Sequence, residues 1–322
     1  DMTNVTDKRG IERRGRILTG SAVALVVALV CTLIFMVCSH GLATFVTDGI
    51  PLGSFFGGTT WNPHQNDASG VPLVGALPMI AGSFSVTLLS CALSLPFALG
   101  ASLFVVDVAP GFGRRVFRPM IELLVGIPSV VFGLVGLSIV VPWTRSWAGG
   151  TGYGILSSSL VLAFMILPTV TSLATDAIAA VPDSYRDGSF GLGCTRWQTI
   201  VHVEVPSAMP GILTAVIMGM TRAFGEALAV QMVIGNAAQM PQGLLTPAAT
   251  LTSVLTMGMG NEAMGTVYND VLWSLALVLL LMSLGVLAYN RLGVDLYPDV
   301  TEPGLIIIAS YPGAAPEEIE TL

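Results

Sequence analysis

Residues 17–39 read Ile17-Leu18-Thr19-Gly20-Ser21-Ala22-Val23-Ala24-Leu25-Val26-Val27-Ala28-Leu29-Val30-Cys31-Thr32-Leu33-Ile34-Phe35-Met36-Val37-Cys38-Ser39, without one charge. A hydrocarbon core of about 30 Å takes about 20 helical residues to cross, so this run is long enough to span a bilayer. The rest of the chain has the same character. Of its 322 residues 53% are hydrophobic and 10% charged, where a soluble domain carries roughly 25% charged residues. Further apolar runs predict spans at 76–106, 120–142, 153–176, 208–235 and 270–290. Helices are required because a lipid-exposed backbone must satisfy its own polar groups, and the alternating pattern of barrel strands is absent. The expected fold class is an all-α integral membrane protein of about six transmembrane helices. Pro96 and Pro128 fall inside these spans and are read as kinks, since neighbouring helices can satisfy the freed carbonyls.

Basic residues concentrate on the cytoplasmic side of membrane helices. Lys8, Arg9, Arg13, Arg14 and Arg16 precede the first span, Arg114, Arg115 and Arg118 separate the second from the third, Arg186 and Arg196 the fourth from the fifth, and Arg291 follows the sixth. With residues 1–16 cytoplasmic, all eleven fall on one side; Arg145 alone falls outside and Arg222 within a span. The apolar part of the first span exceeds the roughly 7–15 residues of a signal-peptide core, so 17–39 is read as an uncleaved helix. The net charge of −7 says little here, because placement of charge matters more than its sum. Residues 40–75, rich in Gly, Pro, Asn and Thr, predict a structured external loop. Leu244 to Met259 is read as a short re-entrant or surface helix. Cys31, Cys38, Cys91 and Cys194 suggest no disulfide framework, and the three histidines are too scattered for a metal site. No nucleic-acid partner is expected; the surroundings are membrane lipid.

The ionisable residues Glu122, Arg222 and Glu226 lie within predicted spans. A charge near the bilayer centre costs about 2.5–3.5 kcal/mol on insertion scales, so such groups face partners or a water-filled path. Arg222 and Glu226 are four apart and would share a helix face as a pair. Arg222 offers a planar fork that matches the oxygens of an oxyanion, with the acids keeping it from holding the anion too tightly. A purely structural ion pair with Glu226 or Glu122 is the alternative.

The cytoplasmic loop 177–207 carries a patterned segment: Asp187-Gly188-Ser189-Phe190-Gly191-Leu192-Gly193, nine residues, then Val203-Glu204-Val205-Pro206. It resembles the EAA loop of ABC importer permeases, E-A-A-x-x-x-G, nine residues, I-x-L-P, with Asp187 for the Glu, Gly188 and Ser189 for the two Ala, and Val203 and Val205 for Ile and Leu. Small residues permit close approach to a partner, Gly193 permits a sharp turn, and Pro206 can start the next helix. The resemblance implies docking on an ATPase subunit through Asp187, Gly188, Ser189, Gly193 and Pro206. The chain itself has no P-loop, since that motif needs a lysine and only Lys8 is present. No catalytic residue is expected, and ATP and Mg would be bound by the separate ATPase.

A wider resemblance, over about residues 10–285, is to phosphate-specific permeases of the PstC type. It is carried by Glu122-Leu123-Leu124-Val125-Gly126-Ile127-Pro128-Ser129-Val130-Val131-Phe132-Gly133, the EAA-like loop, and Arg222-Ala223-Phe224-Gly225-Glu226-Ala227-Leu228-Ala229-Val230. Ala227 stands where that family has Thr. The resemblance implies a type I importer permease fold with its core at 76–290, in the bacterial cytoplasmic membrane. The implied partners are a paralogous permease, two ATP-binding subunits and an external phosphate-binding protein. Residues 291–322 resemble instead a segment of RND efflux transporters, with a strand expected at 304–310, and read as foreign to the permease. A permease for molybdate or sulfate, an RND exporter fragment and a non-transporting phosphate sensor remain as rivals.

Overall fold

The structure, a computed structural model, describes residues 3–67 and 70–289. The tail at 291–322 and its expected strand lie outside the described residues. Six described helices are long and apolar enough to cross a membrane: Arg14–Val46, Leu77–Val108, Ser129–Ala148, Ile155–Ala179, Arg196–Phe224 and Val267–Ala288. Four agree with the sequence to within several residues. The third and fifth are displaced, and the reason in each case is a break in the helix.

Helix α1 (Thr3–Val46) begins with a charged stretch and is uncharged over 17–39, and most of its membrane segment faces outward. It is tied to the bundle near its C-terminal end, where the Ser274 hydroxyl lies 2.7 Å from both the Gly41 carbonyl and the Thr44 hydroxyl, and His40 stacks on Trp273. The loop that follows is structured as the sequence suggests. It contains α2 (Leu52–Gly57) and an antiparallel hairpin, β1 (Trp61–Asn66) with β2 (Pro72–Val74), in which Trp61 faces Val74 and Asn62 faces Leu73.

Helix α3 (Leu77–Leu103) runs through Pro96 and widens into a π turn, Phe104–Val108. A single turn, α4 (Pro110–Phe112), and a second π turn, Gly113–Phe117, lead into α5 (Arg118–Val125). The helix stops at Gly126-Ile127-Pro128, and Pro128 is extended, with ψ 139°. A proline pushes the residue before it out of the helical region, here Ile127. Pro128 therefore breaks the chain where the sequence suggested a kink. Helix α6 (Ser129–Val135), a π turn (Gly136–Val140) and α7 (Val141–Ala148) complete the third span. Glu122 belongs to α5, ahead of the break and outside the span in which it was expected.

Helix α8 (Ile155–Ala179) is the central span, with Leu162, Ile166, Val170 and Ala174 buried along it. Val86 of α3 joins this core on one side and Val233 and Ile234 on another. Apolar attraction between helices is weak in lipid, and small residues compensate by letting backbones approach. Gly211 shows this against α8: a Cβ there would sit 2.5 Å from the Ala177 Cβ.

After α9 (Asp183–Gly191), the fifth span begins at α10 (Arg196–Thr199), continues through a π turn (Ile200–Glu204) and becomes α11 (Val205–Phe224). A capping box of Thr195 and Gln198 starts it, so Pro206 is not the initiator that the sequence suggested. Pro206 lies inside the helical run, just past the π turn. Having no N–H, it cannot close the ordinary bond to the carbonyl four residues back, and a local π adjustment is one way in which a membrane helix accommodates this. The span ends at Gly225-Glu226-Ala227, and a separate short helix, α12 (Leu228–Ile234), follows. Helix α13 (Leu251–Met259) is shorter than the expected 244–259 segment, and α14 (Val267–Tyr289) is the sixth span. Leu251 of α13 and Leu272 and Leu275 of α14 bury with Phe55 and Met79 in a second core.

Candidate substrate pathway and coupling site

Arg222 sits in the last turn of α11, half-buried, and donates from Nη1 to the Thr169 hydroxyl of α8 at 2.5 Å. Among the described residues no carboxylate lies within ion-pairing distance of it. The expected pair with Glu226 is not made, because the helix that would place both on one face ends between them. Glu226 instead turns to α12, accepting from the Ala229 backbone N–H at 3.1 Å. That N–H is one of the donors a helix start leaves without an internal partner. The Thr252 hydroxyl donates to the Glu226 carbonyl at 2.8 Å, fastening the break to α13. Ser83, Thr87, Thr250 and Thr252 share the lining of a tight crevice beside Glu226 with apolar side chains that include Val86, Leu162 and Phe224. Glu122 is in α5, and its side chain lies outside the described residues, so its expected part in the pathway is neither placed nor displaced. A guanidinium held by one neutral hydroxyl keeps its charge available to an anion.

A second polar feature opens at the other end of α12. Thr151, Tyr153, Gln231, Gly235, Asn236 and Pro247 line an open cleft of about 440 Å³ together with Met232. Asn236 has φ 52°, uncommon for a residue other than glycine, and its amide donates to the Gln231 carbonyl at 2.9 Å.

The patterned loop forms a built structure. Asp187 and Gly188 are exposed on α9, while Ser189 is buried and shares a 2.9 Å hydrogen bond with Thr199 of α10. Gly193, at φ 82°, reverses the chain after α9. The Gly193 and Cys194 N–H groups donate to the Phe190 and Ser189 carbonyls at 2.9 and 3.2 Å, which closes the helix end. Tyr185, Phe190, Leu192 and Trp197 are exposed on the same loop segment, with Leu192 87% exposed. Contiguous exposed apolar side chains are a general mark of interaction surfaces. Pro206, set back in the helix, is exposed as well.

The sequence marks Arg186 only as a topological charge, yet the structure makes it a hub. Its Nε donates to Glu204 at 2.8 Å, Nη1 to Asp183 at 3.2 Å, and Nη2 lies 3.6 Å from Asp107. Glu204 and Asp107 are 3% and 8% exposed. The available signal was two acids in apolar surroundings, Asp107 in Phe104–Val108 and Glu204 in Ile200–Val205. Nothing in the sequence joins them across 97 positions.

The family described as "Binding-protein-dependent transport system inner membrane component" matches residues 94–300. The chain is 47% identical over 274 residues to "Probable ABC transporter permease protein YqgH" of Bacillus subtilis, covering 84% of this chain and 87% of that one. It is 31% identical over 258 residues to "Phosphate transport system permease protein PstC" of Mesorhizobium japonicum, covering 74% and 77%. A solved chain of the MetNI methionine ABC transporter, in inward-facing form, aligns at TM-score 0.49 and 19% identity, covering 66% and 95%. With its helical, six-span architecture, the chain belongs to the family of binding-protein-dependent inner membrane components and is an ABC importer permease subunit.

Proposed function

We propose that this chain is one permease of an ATP-driven importer for inorganic phosphate. Arg222 carries the reading: it is an arginine inside a helical bundle whose partner is the hydroxyl of Thr169. Such a group can exchange that hydroxyl for a passing oxyanion without first breaking an ion pair. The similarity to PstC permeases supports phosphate as that anion, and Glu226, in a crevice that it shares with four hydroxyl-bearing residues, lies along the same route in this reading. In this reading the N-terminus is cytoplasmic, in the bacterial inner membrane. The α9 surface, with Asp187, Gly188, Ser189, Gly193 and, just beyond, Pro206, receives one of two ATP- and Mg-binding subunits. A paralogous permease completes the pathway, and an external binding protein delivers phosphate. The reading is tested by ATP-dependent uptake of labelled phosphate in proteoliposomes containing all of these subunits, with unlabelled phosphate, molybdate or sulfate as competitor. Competition by phosphate alone supports it. No uptake of labelled phosphate together with ATP-dependent uptake of labelled molybdate or sulfate reassigns the substrate, and accumulation without ATP refutes the mechanism.

A further inference from the structure

The Arg186 hub brings together three elements that the sequence keeps apart: α9, which carries the exposed docking surface, the π turn at the end of the second span, and the π turn at the start of the fifth. Glu204 and Asp107 sit on those two turns and are almost wholly enclosed. A buried carboxylate is tolerated when a cation compensates it. Here one guanidinium serves both, its donors held in a rigid planar fork. Its two arms differ. The arm to Glu204 is a close hydrogen bond at 2.8 Å, whereas the arm to Asp107 is an ion pair at 3.6 Å. Asp107 Oδ2, Glu204 Oε2 and Arg186 Nη2 have no hydrogen-bond partner among the described residues. The cluster thus makes its one close hydrogen bond across elements to the fifth span, meets the second span only through the longer ion pair, and keeps unused bonding capacity on all three side chains.

We infer that Arg186 is a positioning residue for transport: it clamps α9 to the second and fifth spans so that force applied to the docking surface moves both. The inference rests on the proposed ATPase docking at α9. Push on α9 is carried directly to Glu204 and the fifth span, whose far end holds Arg222. It reaches the second span through Asp107, where the unused donors and acceptors leave room for a tighter arrangement in the driven state. Ser189–Thr199 ties α9 to α10 but reaches neither Asp107 nor the second span, so Arg186 alone among these contacts links the two spans through α9.

The test uses the complete complex in proteoliposomes and reads labelled phosphate taken up per ATP hydrolysed. Arg186→Lys keeps the charge but replaces the fork with one ammonium, and Asp107→Asn frees the second span while leaving the Glu204 contact. Both are expected to assemble and hydrolyse ATP while phosphate moved per ATP falls about tenfold, within the range of a typical coupling between sites. Stoichiometry at the wild-type level in both variants overturns the inference and leaves the importer reading intact. Wild-type complex that hydrolyses ATP without moving phosphate refutes the substrate instead. In that case spin labels at Ser184→Cys and Phe97→Cys decide the clamp. Their separation should hold constant on ATP binding in the wild type and change in Asp107→Asn; a change of equal size in both overturns it.

Discussion

Arg186 and Arg222 are two arginines of one helical bundle with opposite surroundings. Arg186 faces Glu204, Asp183 and Asp107 on three elements, while Arg222 meets the hydroxyl of Thr169. A guanidinium enclosed by carboxylates serves as structure, because separating it from them leaves buried charges uncompensated. A guanidinium held by a neutral group has little to lose when an anion arrives. The difference lies in the chain and not in the side chain: α9 carries Arg186 onto two acids from other spans, whereas the break at Gly225 turns the nearest acid, Glu226, away from Arg222.

Stability measurements should separate the two sites, read as unfolding of the purified chain in detergent. Arg186→Met is expected to have the largest effect, about 3–5 kcal/mol, since it strands two enclosed carboxylates. Equal loss from Arg222→Met would erase the contrast. Gly193→Ala should cost about 1–2 kcal/mol, the strain of a Cβ at a left-handed position, and should weaken ATPase capture more than phosphate selectivity. Glu226→Ala should cost about 1 kcal/mol by uncapping α12, with Glu226→Gln nearly neutral because the amide oxygen still accepts from Ala229. A large loss in Glu226→Gln would mean that the carboxylate charge, not its acceptor, holds the break. Arg222→Met should come last, at less than about 1 kcal/mol, as expected when one hydrogen bond of modest net worth is removed.

Much of the fold is legible in the apolar runs. Ile17 to Ser39 spells a span without help from the rest of the chain, and the loop spacing from Asp187 to Pro206 carries the resemblance to the EAA loop. The breaks are less legible. The run 208–235 stays apolar on average across Gly225-Glu226-Ala227, so hydropathy merges two helices, and the i, i+4 spacing of Arg222 and Glu226 then suggests a pair that the backbone forbids. Pro128 looks like Pro96 in sequence, yet only Pro128 ends its helix; it follows Gly126 and Ile127, whereas Pro96 is set within the long uninterrupted run of α3. The Arg186 cluster was beyond reach for a different reason. Asp107, Arg186 and Glu204 are individually ordinary, and their chemistry exists only once helix packing assembles them.

The central claim is that Arg222 is an available cation in the fifth span, and uptake of labelled phosphate by complexes carrying Arg222→Met tests it most directly, at assembly and ATPase content matched to the wild type. The account predicts that uptake falls by about tenfold or more, the effect of losing a charged contact inside the pathway. Uptake equal to that of the wild type would contradict it and make Arg222, like Arg186, a structural residue.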